Sequence, residues 1–314
     1  MTARSMSGAA IRYRPDGQRG SKRGAATALG DLTWPEVEEL AADGAVLTVP
    51  VGATEQHGPY LPMATDTDLV MALAARLAAR RRDVIVAPPV GYGSSGVHAS
   101  FAGAISIGWD ALELMLVELG RSAAETFRHV LFLSVHGAND RPVIRATDRL
   151  RAESHDVVAW MPGHHPALVP AEALGLTAAA APELSSAAVT GPSSSEDRPD
   201  RAFTLRSGRD PADRGRPRRD ILADAHAGRV ETSIQLSLGP DRVRPGLAAA
   251  GSTAPIAELM PVPWTSAVRA VSPDGVLGDP AGASADEGAE LLRWLESQLL
   301  SVVSRWLQGM PEPL

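Results

Sequence analysis

The stretch Val49–Asp66, VPVGATEQHGPYLPMATD, sets Glu55, His57 and Asp66 within twelve positions, directly after the apolar run Ala45–Val51. An unbroken apolar run of that length reads as a strand buried on both faces. Carboxylate and imidazole groups at a strand end, with Gly and Pro turning the chain between them, are the donors a divalent cation needs. Glu55 and His57 are two apart, so on extended backbone they point the same way. Gly58, Pro59 and Pro62 oppose a helix, and the loop they make can return Asp66 to the same point. The competing reading makes Asp66 only the N-cap of a helix patterned on Leu69, Val70, Leu73 and Leu77.

Outward from this stretch, strands and helices alternate. Strands are expected at Ala45–Val51, Val84–Val90 (cut short by Pro88 and Pro89), Val130–Val135 and Asp156–Met161. Helices are expected at Leu32–Leu40 (Pro35 in its first turn), Asp66–Arg81, Asp110–Arg128, Asn139–Ser154, His226–Leu238 and Ser284–Leu307. The order is that of an α/β protein, a parallel sheet covered by helices. Residues 1–28, rich in Arg, Gly, Ser and Ala, read as a disordered arm, and 178–220 as a long flexible loop inside one domain spanning 29–309.

Composition narrows the chemistry. The 314 residues contain no cysteine, which removes thiolate nucleophiles and sulfur-based zinc sites, so a metal here is held by His and carboxylate. Lys22 is the single lysine, leaving no Schiff-base or P-loop lysine in the body of the chain. A net charge of −7 argues against nucleic-acid binding, and the absence of a long apolar run argues against a membrane span. The protein reads as cytoplasmic.

His136 follows the apolar run VLFLSV as Glu55 and His57 follow theirs, and parallel strands would bring the three to one sheet edge. Asp224, His226 and Glu231 form a third cluster. His226 and Glu231 are five apart and share no face of a regular helix, so His226 must precede the helix if both serve one site. The competing reading is a polar helix start with a solvated glutamate. GYGSSG, Gly91–Gly96, matches a dinucleotide fingerprint, but the following VHASFAGAISIG reads as loop then strand and offers no helix N-terminus for a pyrophosphate. A close approach of Ser94 and Ser95 to a substrate fits better, with His98 either contacting substrate or supporting the metal site. His164 and His165 read as a surface turn; His129 and His155 carry no role. There is no G-x-S-x-G elbow for a serine hydrolase.

Together, E-Q-H-G-P-x-L-P-x-x-x-D, then H-G-x-N after a strand, then H-A-G-x-x-E-T-S resemble the creatininase family of metal-dependent amidohydrolases, over roughly Leu32 to Trp306. The resemblance implies a three-layer α/β/α sandwich around a mostly parallel sheet, a homo-oligomer, and two divalent ions per chain drawn from Zn²⁺, Fe²⁺ or Mn²⁺. It implies Glu55 and His136 on one metal, His57 on the other, Asp66 bridging both, and His226 as the acid/base. Glu231 would orient His226 or support the metals; Ser94, Ser95, His98, Asn139 and Asp224 would face the substrate. HAGRVETS, GYGSSG-x-H and AVSPDGVLGDPAGASADEG are most similar to the branch that trims the C-terminal dipeptide from the modified mycofactocin precursor peptide. Creatinine-hydrolysing members carry a metal-binding Glu two residues past the strand-end His, where this chain has Ala138. Water, substrate or Glu231 would then complete the second metal. The alternatives are a cyclic amidohydrolase of the same family and a catalytically inactive scaffold on this fold.

Overall fold

The computed structural model describes residues 27–162, 224–254 and 267–309. Five strands form one sheet: β1 (Thr27–Ala28), β2 (Val46–Val51), β3 (Val84–Val86), β4 (His129–Ser134) and β5 (Asp156–Trp160). Their order is β1-β3-β2-β4-β5 and every pairing is parallel. β2 pairs with β4 from Val46–His129 to Val51–Ser134, so the two strands end level. The chain goes from β2 to β3 on one side and then crosses to β4 on the other. The carboxyl ends of β2 and β4 therefore flank the switch point, the crevice where open α/β sheets take ligands.

Seven helices are described: α1 (Trp34–Ala42), α2 (Thr65–Arg80), α3 (Trp109–Ala124), α4 (Asp140–Ala152), α5 (Arg229–Leu238), α6 (Ala267–Val271) and α7 (Ala285–Leu307). One sheet face, with Val46, Val84, Leu131 and Leu133, buries Leu73 and Leu77 of α2, Ile234 of α5 and Leu292 and Leu299 of α7. The other, with Leu47, Val49, Ile85 and Phe132, buries Leu112 and Leu116 of α3 and Val143 and Leu150 of α4, with Val37 and Leu40 of α1 packed alongside. Successive strand residues thus feed opposite helical layers, which is why the strands are apolar at every step. The result is the expected three-layer α/β/α sandwich.

Several boundaries move for local reasons. α1 starts at a capping box: the Thr33 backbone N–H donates to Glu36 Oε2 at 2.7 Å. β3 stops at Val86, and beyond Pro88 and Pro89 only Val90 bridges back, to Val51. The strand expected after GYGSSG does not form. Gly96–His98 is a single 3-10 turn, and Ile105 makes one antiparallel bridge to Thr54. Residues 27 and 28 belong to the sheet, pairing with Ile85 and Val86, so the ordered body begins earlier than the arm assigned to 1–28. Residues 1–26, His164, His165 and the 178–220 loop lie outside the described residues. Among the described residues, no helix is long and apolar enough to cross a membrane.

α5 and α7 are locked together. Arg229 Nε lies 2.7 and 2.6 Å from the two oxygens of Glu287, and Ser233 Oγ donates to Glu287 at 2.8 Å. At the crossing, a Cβ on Gly288 would run into the Ser233 backbone carbonyl. Gly288→Ala gains up to about 1 kcal/mol in helix propensity but overpacks a backbone contact, at about 1–3 kcal/mol. The expected result is a lowered Tm by scanning calorimetry; a raised Tm would show that the helices have room to spare.

Candidate metal centre

Local structure folds the loop after β2 onto itself. The Glu55 N–H donates to the Met63 carbonyl at 3.1 Å and the Leu61 N–H to the His57 carbonyl at 3.3 Å. Thr67 Oγ1 donates to the Ala53 carbonyl at 3.0 Å, drawing the first turn of α2 against the loop. Asp66 sits inside that turn, with Ala64 at the N-cap, so the reading of Asp66 as only a cap fails. His136 leaves β4 into the turn Gly137–Asn139. On the far side, the Asp224 carboxylate caps α5, accepting from the N–H groups of Arg229 and Val230 at 2.8 Å each. This leaves His226 ahead of the helix and Glu231 in its first turn, both facing the sheet edge. Between them Ala227 adopts φ 54°, held by its N–H on Glu231 Oε2 at 2.6 Å and by the Tyr60 hydroxyl on its carbonyl.

Six side chains converge. His136 Nε2 lies 3.3 Å from Glu55 Oε2 and its Nδ1 3.6 Å from Asp66 Oδ2. His57 Nε2 lies 3.7 Å from Asp66 Oδ1 and 3.8 Å from Glu231 Oε2. His226 Nδ1 lies 3.6 Å from Glu55 Oε1. Three groups have donor atoms all within 4.8 Å of one another: Glu55, Asp66 and His136; His57, Asp66 and Glu231; Glu55, His57 and His226. Both oxygens of Glu55, Nε2 of His57 and Oδ2 of Asp66 are buried without a hydrogen-bond partner. Orphaned polar atoms of this kind are costly unless something binds them. Three carboxylates and convergent imidazoles fit divalent cations, and Asp66 belongs to two of the groups.

The buried groups of the cluster shift one another's protonation. Burial pushes the Glu55 carboxyl up to about 7, opposed by His136. Burial would also raise Asp66, but His136 and His57 together outweigh it and hold that carboxyl well below its usual range. Burial would lower His57, yet Asp66 and Glu231 overcome it and raise the imidazole to about 10. His136 is likewise raised: Glu55 and Asp66 outweigh its burial. Burial lowers His226, helped by His57 and His98. Metal-free protein at pH 7 therefore carries His57 as imidazolium. A cation must displace that proton, so apparent affinity rises with pH through neutrality. Titration calorimetry with Zn²⁺ in buffers of different ionisation heat is expected to show net proton release at pH 7; a buffer-independent heat would contradict it.

The remaining expected site residues divide. Ser94 sends its carbonyl to within 3.2 Å of His136 Nε2, and the Ser95 hydroxyl borders Glu55. His98 is buried with Nε2 3.2 Å from Glu55 Oε1. Asn139 ties two loops together: its amide accepts from the Ser94 N–H at 2.8 Å and donates to the Gly52 carbonyl at 2.9 Å. Asp224 likewise has both oxygens on backbone N–H groups at the start of α5. Missing from the sequence reading was Gln56, whose side chain lies among His98, His226 and Gly275. Its position inside E-Q-H-G was the available signal.

A three-layer sandwich with a buried carboxylate–imidazole cluster at its switch point defines a metal-dependent hydrolase acting on C–N bonds. The family model "Creatininase: Creatinine amidohydrolase" matches residues 30–303, and the chain belongs to that family. It is 36% identical over 266 residues to the mycofactocin precursor peptide peptidase of Mycolicibacterium smegmatis, covering 83% of this chain and 85% of the relative. To the peptidase of that name from Mycobacterium tuberculosis it is 34% identical over 294 residues, covering 91% and 94%. The manganese form of creatininase superposes with a TM-score of 0.66 at 24% identity, covering 91% of this chain and 99% of that one, a likeness of fold.

Proposed function

We propose that this chain is the peptidase that removes the C-terminal dipeptide from the modified mycofactocin precursor peptide. The observation that carries this reading is the likeness to the mycobacterial peptidases across nearly the whole length of both chains. Glu55, Asp66 and His136 would hold one cation and His57, Asp66 and Glu231 the second, with Glu231 in place of the carboxylate that Ala138 lacks. Zn²⁺, Fe²⁺ and Mn²⁺ all suit such a donor set. Bound there, two such cations supply Lewis acidity and bring the pKa of water toward neutrality. His226 has its Nε2 on the Gln56 carbonyl at 2.6 Å, so Nδ1 is the atom free to pass a proton to the departing amine. Ser94 and Ser95 border the centre where the peptide backbone would lie.

The protein is further proposed to act in the cytoplasm as a homo-oligomer, in keeping with the exposed apolar Trp34, Leu114 and Leu119. Light scattering checks the assembly. The function is tested by incubating metal-loaded protein with the modified precursor peptide and following products by mass spectrometry. Release of the intact C-terminal dipeptide is the expected result. Turnover of cyclic amides without peptide cleavage would replace this reading with the small-molecule amidohydrolase, and no turnover of either with full metal would leave a scaffold.

A further inference from the structure

We infer that Gln56 is a positioning residue that sets two neighbouring histidines, His98 and His226, in opposite roles at the centre. His226 faces it through the lone pair of Nδ1, and His98 through the proton on Nε2. The two rings lie with centroids 4.4 Å apart and planes tilted by 42°, and both point at one atom: His98 Nε2 and His226 Nδ1 lie 3.2 and 3.6 Å from Glu55 Oε1. The hydrogen bonds leave one consistent assignment. The Gln56 carbonyl, 2.6 Å from His226 Nε2, only accepts, so that nitrogen carries the proton. The Gly58 N–H donates to Gln56 Oε1 at 2.8 Å, which fixes which way the amide is turned. Its two amide hydrogens then go to the Gly275 carbonyl at 3.1 Å and His98 Nδ1 at 2.9 Å. The 3.2 Å approach of Gln56 Nε2 to His226 Nε2 is one of two donors, not a bond. His98 Nδ1 is therefore an acceptor and its proton sits on Nε2.

The consequence is chemical. His226 can take and return a proton at the centre, whereas His98 can only donate there and does not compete for a cation. Gly275 supports the arrangement from outside: it has φ 82°, and a Cβ on it would strike the Gln56 amide.

The role given to His226 rests on the proposed hydrolase, but the tautomers do not, and the test separates the two. Long-range ¹H–¹⁵N NMR on histidine-labelled protein, metal-free and Zn²⁺-loaded, is expected to show Nε2–H on both His98 and His226. A proton on Nδ1 of either neutral ring would overturn the inference. Gln56→Met is expected to mix the His98 tautomers and lower kcat on the peptide by about 10²-fold, with KM within about threefold and zinc per chain unchanged. Gly275→Ala should act in the same direction. Wild-type kcat in Gln56→Met, or loss of zinc in step with activity, would overturn the positioning role. If wild type cleaves no peptide, the proposed function falls while NMR still decides the tautomers. If the variants do not fold, the wild-type spectra decide alone.

Discussion

Asp66→Ala is expected to strip the protein of both cations and to lower hydrolysis by more than about 10³-fold, beyond what loss of one charge-stabilising donor typically costs. Asp66 is the side chain shared by the His136 and His57 groups, with Oδ2 3.6 Å from one imidazole and Oδ1 3.7 Å from the other. It is also the carboxylate that the surrounding charges hold ionised most strongly. Removing it leaves each cation with two protein donors and takes the central negative charge out of the site. Metal content by mass spectrometry, on protein purified without a metal-affinity tag, is the check. About two metals per chain in wild type and near none in the variant is the expected pair of values. A variant retaining both would show that Asp66 does not bridge.

Glu231→Gln is expected to release the second cation and leave the first. Glu231 Oε2 lies 3.8 Å from His57 Nε2 and shares a donor group with His57 and Asp66, while Glu55, Asp66 and His136 make a group without it. Glutamine keeps an oxygen for the Ala227 N–H, which Glu231 accepts at 2.6 Å, so the turn with Ala227 at φ 54° stays supported. The loss is then of charge and ligand strength, and it should exceed the about 10–100-fold in affinity that changes to outer-shell partners cost. Ala138→Glu in the same chain restores a carboxylate two residues past His136. Recovery of the second metal in the double variant would show that the two positions are interchangeable. Two metals in Glu231→Gln alone would place Glu231 outside the ligand set.

Much of this was legible from local pattern. Apolar runs at 45–51 and 130–135 specified the buried strands found at 46–51 and 129–134, and Gly and Pro between Glu55 and Asp66 excluded a helix, because strand burial and backbone restriction act over a few residues. The shared edge of Glu55, His57 and His136 followed once those strands were taken as parallel. The strand expected after GYGSSG was misread, since its apolar alternation serves a loop tied by one bridge at Ile105.

What the sequence by itself determined was the order of elements, the two strand ends and the residue types that converge there, all set by periodicity and side-chain chemistry. Only the tertiary structure decided which partners those residues have. Asn139 and Asp224, polar and beside the motifs, turned out to satisfy backbone groups of the scaffold, because buried N–H and C=O groups claim the nearest acceptor or donor. Glu231, 165 positions beyond Asp66, became its neighbour through the packing of α5 on α2 and α7. Gln56 makes its hydrogen bonds to residues 42, 170 and 219 positions away. Such pairings depend on how the layers close in three dimensions, and no local spacing encodes them.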